Sequence, residues 1–133
     1  MNFWVKFAIV AGGGAAGAVS RFAINELFSW LKLAKPSVES GLPLATLSAN
    51  LVGCFLIGIL FGSGLAEKHP SLKYGFGVGF LGALTTFSTF SAESIEQIQS
   101  GQSLMAIAYM VISLAAGLLL VFLGMLLGKR WLG

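Results

Sequence analysis

The sequence predicts an all-α integral membrane protein, a bundle of four membrane-spanning helices, and three observations predict it. Hydrophobic residues make up 56% of the chain and charged residues only 10%, where a soluble domain carries roughly 25% charged residues. Apolar residues collect in four long runs, roughly 3–31, 44–65, 72–95 and 104–127. Each run is long enough for a helix to cross the ~30 Å hydrocarbon core, which takes about 20 residues. The alternating segments of ~10 residues that mark a membrane barrel do not occur. No loop could house a soluble domain, so the 133 residues are expected to form one transmembrane domain, residues 1–133.

The elements follow in order. The first run has only Lys6 as a positive charge near its start and extends far past the 7–15 apolar residues of a signal peptide, so it is expected to be a retained helix. The linker 32–43, KLAKPSVESGLP, has two prolines and a glycine. Helix one must stop there, and Pro43 can open helix two. The segment EKHPS, residues 67–71, reads as a tight polar turn with Ser71 as the N-cap of helix three. SGQS, residues 100–103, closes helix three before the last span.

Glycine is dense, with 18 residues concentrated inside the runs. GGGAAGA, GCFLIG and GFGVGFLGA put small residues at helical spacing, as at Gly75 and Gly79. In lipid such faces let backbones approach closely, and packing drives association. Tight packing and an oligomer are expected. Gly12, Gly14 and Gly17 match the spacing of a dinucleotide loop, but no strand precedes them and the stretch is apolar, so no nucleotide site is expected.

Composition also narrows function. The net charge of +3 comes mostly from residues flanking the runs, which is ordinary for a membrane protein and gives no reason to expect a nucleic-acid partner. Cys54 is the single cysteine, so neither an intrachain disulfide nor a cysteine metal cluster is possible. His69 is the single histidine and falls in a loop. With no paired acids and no nucleophile–base pair, an enzyme is not expected.

Uncharged polar groups at membrane depth carry the functional signal. GALTTFSTFS, residues 82–91, holds five hydroxyls and two phenylalanines within an apolar run. Helix two carries Thr46 and Asn50 four residues apart, and helix four carries Tyr109 and Ser113 at the same spacing, with Gly117 continuing the stripe. In lipid such groups need a partner, water or a ligand. Interhelical hydrogen bonding explains a lone Ser48 or Ser113; Asn50 together with Thr85, Thr86, Ser88 and Thr89 looks like the lining of a pathway. No acid falls near mid-span: Glu93 lies roughly 12 Å beyond Thr85 along a helix, near the hydrocarbon edge, and Glu26 lies toward the end of helix one. Hydroxyls, an amide and the electropositive edges of Phe87 and Phe90 suit a small anion better than a cation. Arg21 adds a positive charge toward one end.

GGGAAGAVSRF (residues 12–22), ATLSANLVGCFLIG (45–58) and GFLGALTTFSTFSAE (79–93) resemble, in order and spacing, the signatures of the Fluc/CrcB fluoride channels. The resemblance covers essentially the whole chain. It implies a fluoride-selective passive channel that exports cytoplasmic fluoride across a bacterial-type inner membrane. It also implies an antiparallel dual-topology homodimer of four-helix subunits, with the third helix broken near its middle. By position, Asn50, Phe87 and Phe90 match the family's pore residues, and Thr86 and Ser88 fall near the pore. Tyr109, Ser113 and Gly117 fall on its polar track, although some relatives carry a hydroxyl at the place of Gly117. Arg21 matches the vestibule arginine. Gly82 and Thr85 match positions whose main-chain carbonyls hold a structural sodium ion at the dimer centre.

Two rivals stay open from the residues alone. A small four-helix multidrug exporter would normally need a titratable acid deep in helix one, and Glu26 is too near the end to supply it. A non-transporting membrane scaffold would use every polar stripe for packing. Charge counting leans toward one orientation. Lys6, Lys68, Lys73, Lys129 and Arg130 fall on the side of the N-terminus, against Lys32 and Lys35 opposite, so dual insertion is expected from the resemblance more than from the charges.

Overall fold

The computed structural model describes residues 1–31 and 41–131. Lys32 and Lys35, and with them most of the first linker, lie outside the described residues. Among those described, every regular element is helical. Helix α1, Phe3–Trp30, is 28 residues long and starts at Asn2, whose side chain accepts from the Val5 N–H at 2.9 Å. Helix α2, Leu44–Gly62, follows Pro43 as expected. Two short pieces, α3 (Leu65–Lys68) and α4 (Pro70–Leu72), lead into the third run. It continues as a π-helical stretch, Lys73–Leu81, and a last turn, α5 (Gly82–Leu84). After an interruption it resumes as α6, Phe87–Gln99. The last helix is α7, Ser103–Trp131.

One boundary corrects the sequence reading. Ser71 does not cap the third helix. His69 stands at the cap without a side-chain bond, and Pro70 takes the first helical position, where its missing N–H leaves no intrahelical bond unmade. Gly101, with φ of +79°, ends the run after α6, a left-handed position that glycine takes without strain.

Two glycine seams build the bundle. Along the α2–α7 seam, a β-carbon on Gly58 would strike the Val121 carbonyl and one on Gly124 the Phe55 carbonyl, while one on Gly128 would lie 2.8 Å from the Ser63 nitrogen. Along the α1 seam, a β-carbon on Gly13 or Gly17 would strike the carbonyls of Gly75 or Phe80 in the π-helical stretch. That stretch is one residue wider per turn, with the Gly82 N–H reaching back five residues to Gly77 O.

Burial is inverted relative to a soluble protein. The interior is made largely of small residues such as Ala49, Ala66 and Ala106, whereas Trp4, Leu104 and Trp131 are about three-quarters or more exposed. Among the described residues three helices, α1, α2 and α7, are long and apolar enough to cross a membrane. The chain is a helical, multi-pass membrane protein.

Candidate functional site

The interruption between α5 and α6 is where the polar residues meet. Thr85 and Thr86 are extended, with ψ of 155° and 121°. Both are β-branched and carry hydroxyls that compete for backbone partners. The Thr85 hydroxyl donates back to the Leu81 carbonyl at 2.9 Å. Thr86 caps α6, its Oγ1 accepting from the Thr89 N–H at 3.1 Å and lying 3.2 Å from the Ser88 hydroxyl.

Asn50 holds the interruption open. The Thr86 N–H donates to Asn50 Oδ1 at 2.7 Å, and Asn50 Nδ2 donates to the Thr86 carbonyl at 3.1 Å. The side-chain amide thus pairs with Thr86 as a neighbouring strand would. Gly53, one turn along α2, makes room for this contact, because a β-carbon there would strike the Thr85 methyl group. In an unbroken helix the N–H groups of Thr86 and Thr89 would serve the carbonyls of Gly82 and Thr85. Here they serve Asn50 and the Thr86 hydroxyl, which releases those two carbonyls from helical bonding.

Two cavities flank Thr86. The larger, about 460 Å³, is bounded by Asn50, Thr85, Thr86, Phe87, Phe90 and Ser113, with Gly82 and Cys54 also on its wall. Phe87 and Phe90 stand 5.8 Å apart between ring centroids, and Phe90 lies 5.1 Å from the Tyr109 ring. Phe87 is 79% exposed, although it sits beside the polar centre. The Ser113 hydroxyl is buried and has no partner among the described residues. The smaller cavity, about 300 Å³, is lined by Arg21, Asn25, Thr46, Thr86 and Thr89.

Between α2, α6 and α7 lies a further cluster. Thr46 donates to Glu93 Oε1 at 2.7 Å, and the fully buried Tyr109 donates to Glu93 Oε2 at 2.8 Å. Thr46 is in the first turn of α2, so the carboxylate also faces the positive end of that helix.

A family model described as CrcB-like protein, Camphor Resistance (CrcB), matches residues 8–125. This chain belongs to the CrcB-like family. It is 38% identical over 126 residues to a Staphylococcus aureus (strain NCTC 8325 / PS 47) protein named Fluoride-specific ion channel FluC 1, with 93% of this chain and 97% of that protein covered. A protein named Fluoride-specific ion channel FluC from Azotobacter vinelandii is 40% identical over 122 residues, covering 90% and 94% of the two chains. One of the same name from Chlorobium phaeobacteroides is 33% identical over 130 residues, covering 96% of each.

In this CrcB-like chain most of the residues singled out from sequence gather around Thr86, and the rest lie apart from it. Asn50, Thr86, Phe87, Phe90 and Ser113 share the larger cavity, and Gly82 and Thr85 stand at its wall. Arg21 is in the smaller cavity. Tyr109 touches the Phe90 ring but turns its hydroxyl to Glu93. Ser88 is exposed beside the Thr86 cap, and Gly117 is buried with its missing β-carbon 3.4 Å from Cys54 Sγ. Sequence reasoning left Glu93 out of the site. The convergence of Thr46 and Tyr109 on it depends on how three helices pack. The spacing Thr86, Phe90, Glu93, Gln97, which repeats along one face of α6, was the available signal.

Proposed function

We propose that the chain is a fluoride-selective passive channel, that its pathway runs past Asn50, Thr86, Phe87 and Phe90, and that it lets fluoride leave the cytoplasm across a bacterial inner membrane. One observation carries this reading: an interrupted helix, clamped by an asparagine, beside a cavity with an unpartnered buried hydroxyl and no formal charge. A small anion sheds water only if other donors replace it, and it leaves only if they do not hold it too tightly. Ser113 and the ring edges of Phe87 and Phe90 are such donors. Arg21 in the adjoining cavity raises the local anion concentration without binding it at the narrow part. An inside-negative potential drives a monovalent anion outward at about 2.3 kcal/mol per 100 mV.

The third run completes a fourth span in this reading, with the interruption at its middle. The exposure of Phe87, Ser88 and Gly82 beside a polar junction favours cover by a second copy, because unsatisfied backbone in lipid is costly. An antiparallel, dual-topology homodimer would place two such faces together. The carbonyls of Gly82 and Thr85, released from helical bonding, fit a small hard cation, and they would hold a structural sodium ion on the dimer axis. That ion would supply fixed positive charge to carbonyls that lipid leaves unserved.

The test is fluoride efflux from liposomes of purified protein, read with a fluoride electrode under a potassium gradient with valinomycin. Fast efflux that needs no proton gradient is expected; a trace equal to protein-free liposomes contradicts the channel. Replacing sodium by a large organic cation on both sides should slow efflux, and undiminished flux would remove the sodium site alone. A C-terminal tag should be accessible from both membrane faces, and labelling from one face would remove dual insertion alone.

A further inference from the structure

Gln97 is a fully buried polar side chain that the pathway does not use. It lies on α6 one turn beyond Glu93 and is 0% exposed. Its Nε2 donates to the Gly41 carbonyl at 3.0 Å. Its Oε1 is buried with no hydrogen-bond partner among the described residues. Among the described residues this acceptor has no donor, and a buried acceptor in that position is left with its desolvation cost. An aliphatic side chain of similar size would fill the space without that cost.

What the glutamine does is fix where α2 begins. That helix starts after Pro43 with no side-chain cap bond, so its own sequence gives it no anchor at this end. Two bonds from α6 supply one. Gln97 holds Gly41, just before the helix, and Glu93 accepts from Thr46 in its first turn. The two rungs are four residues apart on α6 and five apart along the other chain segment. Thr46 also lines the cavity that holds Arg21, and Asn50 follows one turn later on the same face. Any shift of the start of α2 therefore moves Thr46 against Glu93 and Asn50 against Thr86.

We propose that Gln97 is a positioning residue that holds the first turn of α2 on α6, so that Thr46 keeps its bond to Glu93 at the wall of the Arg21 cavity and Asn50 keeps its clamp on Thr86. This rests on the channel reading above. It acts on fluoride passage through Thr46 and Glu93, without touching the ion.

The test compares Gln97→Met, Thr46→Val and the double variant in the full-length protein. Fluoride efflux per folded channel and thermal unfolding in detergent are both measured. Gln97→Met keeps the bulk and deletes the amide. Flux is expected to fall about tenfold (~1.4 kcal/mol) while the unfolding temperature holds or rises, and the double variant should be no slower than Thr46→Val alone. A plain packing role predicts lower unfolding temperature, unchanged flux per folded channel, or losses that add in the double variant; any of these overturns the proposal. If Gln97→Met fails to fold, Gln97→Leu takes its place with the same expectations, and failure of both to fold also overturns it, since it would make Gln97 a stability residue. Wild-type protein that passes no fluoride overturns the channel reading and this inference together. A conducting wild type with Gln97 variants that conduct at the wild-type rate overturns this inference alone.

Discussion

The α2–α7 seam and the α5–α6 junction both engage α2, and they are held by opposite means. The seam is backbone against backbone, made possible by Gly58, Gly62, Gly124 and Gly128, each with a main-chain carbonyl where a β-carbon would go. The junction is side chain against backbone, made by Asn50, Thr85 and Thr86 through short hydrogen bonds. The seam leaves no space for a side chain, whereas the junction borders a cavity of about 460 Å³. The difference teaches which part of a small membrane protein can vary. Dispersion contacts that depend on closeness hold the bundle, and directional bonds that tolerate space around them shape the pathway.

Substitutions can break that contrast in order of severity. Gly124→Val should do most damage. Its β-carbon would strike the Phe55 carbonyl and lie 3.0 Å from the Ile59 nitrogen, and backbone cannot move aside as a flexible side chain can. A loss of at least ~3 kcal/mol is expected, at the upper end for overpacking, against a total stability of only about 5–15 kcal/mol. Size-exclusion chromatography in detergent should show aggregate in place of a folded peak; a normal peak would mean that the seam has room for a side chain at Gly124.

Next come Phe87→Ile and Phe90→Ile, which leave the seam alone and act only at the junction. Both keep apolar bulk and remove the ring edge. Fluoride efflux should fall by about tenfold or more (~1.4 kcal/mol) in each with an unchanged chromatographic profile. Phe87 is 79% exposed in the single chain, so its replacement costs the fold little. Wild-type efflux in both variants would strip the rings of their part in anion passage.

The smallest effect sharpens the contrast from the other side. Gly12→Ala is next to Gly13 in sequence, yet a β-carbon at Gly12 meets nothing within 4 Å, whereas one at Gly13 would strike the Gly75 carbonyl. Gly12→Ala should leave folding and flux intact, with a gain of roughly 0.5–1 kcal/mol from helix propensity. Thermal unfolding of the Gly12→Ala and Gly13→Ala proteins measured side by side would separate them, and equal destabilisation would argue against the α1 seam.

Legibility followed the kind of force at work. Apolar length places α1, α2 and α7 closely, because the lipid core demands it, and glycine spacing announces the seams. Asn50, Thr85 and Thr86 stand out in sequence because uncharged polar groups are conspicuous in an apolar run. Glu93 did not stand out, because position along one helix says nothing about two hydroxyls arriving from others. Ser71 misled for a similar reason: serine is a common cap, but Pro70 just before it set the helix start first. The wide turns of Lys73–Leu81 have no signature that separates them from an ordinary helix rich in glycine.

The most direct test of the pathway at the junction is Asn50→Asp, assayed as fluoride efflux from liposomes beside the wild type. The substitution keeps shape and size, loses the donor that holds the Thr86 carbonyl at 3.1 Å, and puts a fixed negative charge at the cavity wall. At 4 Å two like charges repel by about 4 kcal/mol at an effective dielectric of 20, enough to slow passage by far more than a hundredfold. Folded Asn50→Asp protein that passes no fluoride above protein-free liposomes is the expected result. Folded Asn50→Asp protein that passes fluoride at the wild-type rate would contradict a pathway through this junction.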